Sequence, residues 1–434
     1  MKRILSTVLV ILSCLYTSLA NATLTTNSAL GEVKIDGFLS VGTAWSDVNF
    51  LASGVEPVYI SNIRKKPSFE EDSNVGVQIT KQIHEDVSIT VQFLAEADNQ
   101  WEVETAWAFL KWEPGDHWQL RAGRVRTNPY MLSDYVNVGY AYPWVRPPEE
   151  VYSMIPAIYS NSTGADVRYR HALWNRDLTI TGFYGVVSTE LTFPIGPSQS
   201  IFDDVRLRLR DLYSFNLRYG DEVFSIRAGI EITRVTFDPN AGTVMGELND
   251  FLNELVSFGL ISPDYINYFS LYNKRTSFMG LGYQFDWNNI VSMGELVKRK
   301  STSPIEATAI GWYLMGGYRV KQLLPHITFA RERLVDNNVR RFNNIINQDF
   351  MAFTGSPIPL DQVAQSLIAT SEYYNGGAGA QSSVTLGLRW DVIDGVALKA
   401  EYKHVHPDLM SPGLFDFNPL KSVNIYSLAL DAVM

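Results

Sequence analysis

Cysteine is almost missing: Cys14 is the only one in 434 residues, and it stands inside the N-terminal apolar run. A disulfide-stapled scaffold is thereby excluded, and the exported part of the chain must be held by packing and hydrogen bonding alone. Long apolar runs are missing as well. Beyond the N-terminus no stretch reaches the 18 or so apolar residues of a membrane helix. The chain also lacks a Gly-x-Ser-x-Gly elbow, a His-Glu-x-x-His pair and a Walker loop, so the common hydrolase, metalloprotease and nucleotide signatures are absent. Gly376-Gly-Ala-Gly379 reads as a loop tip. No Pro/Ser-rich hinge and no change in composition divides the chain, which favours one large unit.

Met1-Lys-Arg3, the apolar run from Ile4 to Leu15 and the small-residue pattern Ala20-Asn-Ala22 read as a secretory signal peptide over residues 1–22, leaving 23–434 as the exported part. Leu12 is a poor residue two positions before a lipidated cysteine, which disfavours a lipid anchor on Cys14. Loss of Lys2 and Arg3 with the signal takes the formal charge from −10 to −12, unsuited to nucleic acid.

What the chain does have is alternation. Apolar residues fall at every second position in Val33, Ile35, Leu39, Val41 and Trp45, in Val75, Val77 and Ile79, and in Val87, Ile89, Val91 and Phe93. Further segments follow at 103–112, 118–126, 166–170, 178–187, 212–219, 223–234, 275–286, 290–298, 307–319, 326–333, 383–391, 396–403 and 423–434. Short turns, such as His84-Glu-Asp86, Gly220-Asp-Glu222 and Val392-Ile-Asp-Gly395, alternate in order with longer loops. One apolar and one polar face per strand, with tight turns at one end and long loops at the other, is the pattern of a transmembrane barrel. The expected fold is all-β: an antiparallel transmembrane β-barrel of about sixteen strands. Residues 247–259 and 361–370 carry helical patterning inside two of the long loops.

The most specialised stretch follows the strand Trp118–Arg126. Over 127–163 it has no usable period, yet it is crowded with aromatics, including Tyr130, Tyr135, Tyr140, Tyr142 and Trp144, and stiffened by Pro143, Pro147 and Pro148. A loop of that length and composition is expected to pack against something. Its rings either anchor it to the barrel wall or line a sugar track, and anchoring is the simpler reading.

This stretch is the third long loop, and Gly123-Arg124 stands just before it. In both respects the chain resembles the trimeric sixteen-stranded porins of Gram-negative bacteria, including their phosphate-selective members. The resemblance implies an inward-folded constriction loop at 127–163, with Arg124 on the basic side beside Arg121, Arg168 and Arg170. Opposite them it implies a loop side comprising Asp134, Glu149 and Glu150 with Tyr140, Tyr142, Trp144 and Arg146. Arg124 shares the strand parity of Trp118 and Leu120, so its inward position requires a β-bulge at Gly123. The resemblance further implies an outer-membrane homotrimer, surrounded by lipid bilayer and lipopolysaccharide, that passes small hydrophilic solutes, anions among them, without a cofactor. The closing strand ends in Met434 where the family usually has an aromatic residue.

Arg218, Arg227, Glu231, Arg389, Lys399, Glu401 and Lys403 read as a solvated inner wall with compensating charges. His404, His406 and Asp408 are too few for a metal site, and Glu70-Glu-Asp72 reads as a solvated charge run. Two other functions stay open. A phospholipase-like barrel enzyme would need an outward Ser and His, for which His171 has the right parity but no evident partner. A structural or adhesive barrel would not conduct.

Overall fold

A computed structural model describes residues 24–28, 31–54, 56–60, 62–155, 161–191, 205–238, 253, 256–257, 272–302, 308–336, 380–408, 413–415 and 419–434. The expected signal peptide, the helical pattern at 361–370, the loop tip at 376–379 and most of 247–259 lie outside the described residues.

Seventeen strands run in sequence order: β1 (Leu24–Ser28), β2 (Gly31–Ser46), β3 (Asn74–His84), β4 (Val87–Glu96), β5 (Val103–Trp112), β6 (Trp118–Arg126), β7 (Asn161–Leu173), β8 (Arg176–Leu191), β9 (Val205–Gly220), β10 (Phe224–Asp238), β11 (Lys274–Trp287), β12 (Ile290–Ser301), β13 (Thr308–Tyr318), β14 (Leu323–Asp336), β15 (Gln381–Ile393), β16 (Val396–Pro407) and β17 (Val423–Val433). Each pairs antiparallel with the next, and β17 returns to β2. The short β1 doubles back on β2, so the other sixteen close into a barrel. Gly37 and Met434 exchange backbone hydrogen bonds of 3.1 and 2.9 Å at the seam, so the last residue is part of the closure.

Closure leaves no open edge, and the alternation then decides which side meets what. Val75, Val77 and Ile79 on β3, Leu281 on β11, Leu296 on β12, Leu314 on β13, Phe329 on β14, Leu386 on β15 and Leu428 on β17 are all exposed on the outer face. An apolar band this long suits hydrocarbon, not water. Aromatic residues border it. Trp112, Trp118, Trp174, Trp287 and Trp390 stand near the tight-turn end; at the long-loop end Trp45 stacks on Tyr426, 5.6 Å between centroids. Two of the tight turns, Trp174-Asn175 and Asn288-Asn289, have positive φ at both residues, the mirror-image turn that matches strand twist. Leu428→Arg, near the middle of β17, is expected to destabilise the inserted barrel by about 2–4 kcal/mol, read from reversible unfolding in urea in the presence of lipid.

Several strands run further toward the long loops than the alternation suggests. On β9 the pattern begins at Leu212, but the strand begins at Val205. Asp211 has φ +51° and the β9–β10 register shifts there. Below the shift Leu212, Ser214 and Asn216 face in; above it Leu207 and Leu209 do, so one strand carries two parities. On β12 the inner face combines Val291, Met293 and Val297 with Glu295 and Arg299, so hydrophobicity alone does not separate its two sides.

Candidate functional site: the third loop and the inner wall

Segment 127–155 is bonded along its length to inner-face side chains of the barrel. At its start, carbonyls of Asn128 and Pro129 accept from the Arg227 guanidinium on β10. Met131 N and the Tyr152 hydroxyl donate to the two oxygens of Glu295 on β12, both at 2.9 Å. Gln284 on β11 donates to the Tyr135 hydroxyl at 3.0 Å. Trp144 is 1 % exposed; its Nε1 donates to Thr328 Oγ1 on β14 at 2.8 Å, and its ring meets Tyr313 edge-on. Arg389 on β15 donates to the carbonyls of Tyr140 and Tyr142 and lies 4.7 Å over the Tyr140 ring.

The second half carries the charges. The Lys399 ammonium on β16 is fully buried; it donates to the carbonyls of Gly139 and Trp144, each at 2.6 Å, and pairs with Asp431 on β17 at 2.8 Å. Val145 N donates to Glu401 at 3.0 Å. Arg146 joins Asp72 at 2.5 Å, Glu149 at 3.1 Å and Ser427 at 2.7 Å. A single turn of helix, α1 (Glu149–Tyr152), follows Pro148 and places Glu149 and Glu150 beside Lys403. It passes so close to β13 that a Cβ on Gly311 would lie 2.3 Å from the Glu150 carbonyl. Glu150 also accepts from Gln381 at 2.7 Å, and the same amide nitrogen donates to the buried Tyr59 hydroxyl at 3.1 Å. The first long loop, the third loop and β15 therefore share one polar knot. Burial pushes the Glu149 carboxyl up, but Lys403 and Arg146 outweigh it and hold the group below the ordinary carboxylate range.

The opposite wall is basic and touches the loop far less. Arg121 on β6 is tied to Asp166 on β7 at 2.6 Å with both side chains buried. Arg168 reaches loop residue Asp134 at 4.0 Å. Arg170 takes Gln119 at 3.3 Å. On the adjoining strands Arg218 pairs across the ladder with Thr179 and Arg227.

The expected residues therefore separate into groups. Asp134 and Arg168 come together across the barrel. Glu149 and Glu150 do not face Arg121, Arg124, Arg168 or Arg170; they face Lys403 and, for Glu149, Arg146. Tyr140, Tyr142 and Trp144 are set against wall side chains and carbonyls, the anchoring arrangement. Arg124 requires a correction. Its ladders to Ala108 and Thr163 run through Gly123 with no register break, so it keeps the parity of Leu120 and Ala122 on the outer face. Gly123 is needed for another reason: φ is +138° and a Cβ would lie 2.3 Å from the Ala108 carbonyl.

The expected wet wall is corrected in the same way. Glu231, Lys399 and Lys403 are buried, and Arg227, Arg389, Lys399, Glu401 and Lys403 hold loop backbone or loop carboxylates. Asp72, expected in a solvated run, is buried under Arg146. Alternation places these charges on the inner face, but nothing in the sequence couples Lys403 to Glu149 or Glu295 to Met131. His404 and His406 bond Asn424 and Ser422, and His171 lies against Tyr169 and His117.

A closed sixteen-strand antiparallel barrel, apolar outside and charged inside, is a membrane barrel of the outer-membrane type. Its fold is the porin fold. It is similar to OmpF of Salmonella typhi solved with daunomycin, at 10 % identity and a TM-score of 0.52, covering 95 % of this chain and 100 % of that one. An anion-selective porin from Comamonas acidovorans matches at 10 % identity and 0.51, covering 93 % and 99 %. The outer-membrane channel DcaP of Acinetobacter baumannii matches at 11 % and 0.52, covering 94 % and 99 %. No family model matches the chain, and no curated protein matches it by sequence.

Proposed function

We propose that this protein is a passive outer-membrane channel for small hydrophilic solutes, with anions preferred, and that the passage runs between segment 127–155 and the basic wall of β6–β10. The observation that carries the reading is the asymmetry of the inner charges. On β12, β15 and β16 Glu295, Arg389, Lys399, Glu401 and Lys403 are bonded to the loop, while on the other wall Arg168 meets the loop acid Asp134 at 4.0 Å and Arg170 and Arg218 stand on the same inner face. Fixed cations along a narrow aqueous gap raise the local concentration of anions.

Nothing in the chain suggests coupling to energy, so net flux follows the solute gradient. Insertion in the outer membrane follows export by a cleaved signal over residues 1–22, and assembly as a homotrimer is part of the same reading. Single-channel recording of the refolded protein in planar bilayers tests it: discrete steps are expected, with a reversal potential in a KCl gradient that reports anion preference. A clear cation preference overturns the selectivity; the absence of any step turns the reading to a structural barrel.

A further inference from the structure

The polar knot beside Lys403 has a neutral member that reaches further than its charges. Gln381, the first residue of β15, is fully buried, and its single amide is shared among three loops. Nε2 donates to Glu150 Oε1 on the third loop at 2.7 Å and to the Tyr59 hydroxyl on the first long loop, between β2 and β3, at 3.1 Å. Oε1 accepts from Leu414 N on the last long loop, between β16 and β17, at 2.9 Å. Both N–H groups and the carbonyl of the side chain are thus engaged. The two outer loops are also joined to each other. Tyr59 and Phe415 form an antiparallel bridge with their rings 4.8 Å apart, and Ile60 N donates to the Leu414 carbonyl at 3.1 Å. With Ile63, Val405 and Val423 they make a buried apolar cluster separate from the one that holds Trp144 and Met154. Gly413 has φ +64°, and a Cβ on it would lie 2.6 Å from Gln381 Oε1, so a side chain there would strain the backbone and press on the amide. The first loop has a second tie to the third, Asp72 with Arg146; the last loop meets Glu150 through Gln381.

We propose that Gln381 is the positioning residue that couples the last long loop to α1, so that displacing the last loop at the mouth of the barrel releases α1 from the inner wall. Surface loops ordinarily move independently of one another. Here a buried amide that loses Leu414 keeps the cost of its desolvation without the compensating bond. It recovers that cost by turning toward water, which gives up Glu150 and Tyr59 as well. The coupling is reciprocal: α1 leaving the wall also loosens the last loop. Its consequence for conduction rests on the passage beside segment 127–155; the coupling itself does not.

Thiol labelling of the refolded barrel in lipid tests the coupling. The exported part of the chain has no cysteine, so Met154→Cys supplies a single thiol. Met154, two residues beyond α1, is fully buried and lies so close to β13 that a Cβ on Gly311 would be 2.7 Å from its Sδ. The labelling rate of a thiol at that position reports how often α1 lifts from the wall. In this background Gln381→Met, which keeps the volume and removes the hydrogen bonds, is expected to speed labelling about tenfold, the equivalent of one buried hydrogen bond lost. Gly413→Ala alters only the last loop and is expected to speed it at least about fivefold, the lower end of a coupling between sites. Combined with Gln381→Met it is expected to add nothing, because the link that carries its effect is already gone. Tyr59→Phe, which keeps the ring and removes the hydroxyl, is a milder route to the same comparison if Gly413→Ala does not fold. Labelling of the Gln381→Met protein at the rate of its parent overturns the proposal, and so do additive effects in the double variant. Single-channel conductance of Gln381→Met is expected to rise. Faster labelling with unchanged conductance upholds the coupling and overturns the passage beside segment 127–155, so the two failures are told apart.

Discussion

Lys403→Met is expected to loosen segment 127–155 from the wall, raise single-channel conductance and cost about 3–5 kcal/mol of stability, the penalty for stranding a buried charge by deleting its partner. Lys403 stands between Glu149 and Glu150, with the Tyr59 ring 5.6 Å from its ammonium. Without it two buried carboxylates are left with Arg146 and Gln381 as their remaining partners. The design that isolates this cause is Lys403→Met/Glu149→Gln/Glu150→Gln, in which the amides retain hydrogen bonding without charge; it is expected to recover most of the lost stability. The same knot gives a pH dependence. Glu149 is held below its ordinary value, so its contribution is fully present above the unfolded carboxylate pKa of ~4.3 and is lost as pH falls through the lowered folded value. Wild-type conductance should therefore rise only in strong acid, while the Lys403→Met channel is already loosened at neutral pH. Identical conductance for the two proteins at neutral pH would remove the knot from the account.

Alternation, turn chemistry and the short-long order of connections made the barrel legible, because each is a local consequence of a strand having two faces. Where locality fails, so does the reading. The bulge at Asp211 reverses parity within β9; aspartate tolerates the positive φ found there, but it is too common on the polar faces of strands and in turns to announce a bulge by itself. Gly123 has the features of a bulge but is a glycine for close backbone approach, so Arg124 stays outside. The third loop was recognisable from its rings and prolines, yet most of its wall partners are distant in sequence, 164 residues for Met131 with Glu295 and 184 for Trp144 with Thr328. Trp144 with Thr328, and Arg146 with Asp72 and Ser427, are contacts that only barrel closure creates. Charges on the inner face of β16 were visible as Lys399, Glu401 and Lys403; that they are buried under the loop follows from what covers them.

Reversing Arg168 and Arg170 tests which arginines set the field in the passage. Arg168→Glu/Arg170→Glu is expected to convert anion preference to cation preference, with at least a roughly tenfold change in the chloride-to-potassium permeability ratio. The contrast is with Arg121, two residues before Gly123 on the same strand. Its guanidinium is closed on Asp166 through Nε and Nη2, at 2.6 to 3.1 Å, with both side chains buried, so the pair presents almost no net charge to the gap. Arg121→Gln should accordingly destabilise the barrel by stranding Asp166, while the reversal potential of the molecules that do insert stays near wild type. Arg168 behaves oppositely because its acidic neighbour across the gap, Asp134, is 4.0 Å away and half exposed, where solvent screens the pair and leaves a net positive wall. Asp134→Asn should strengthen anion preference for the same reason. If Arg121→Gln shifts selectivity as far as Arg168→Glu/Arg170→Glu does, the field is set at β6 and the proposed passage between segment 127–155 and Arg168 is wrong.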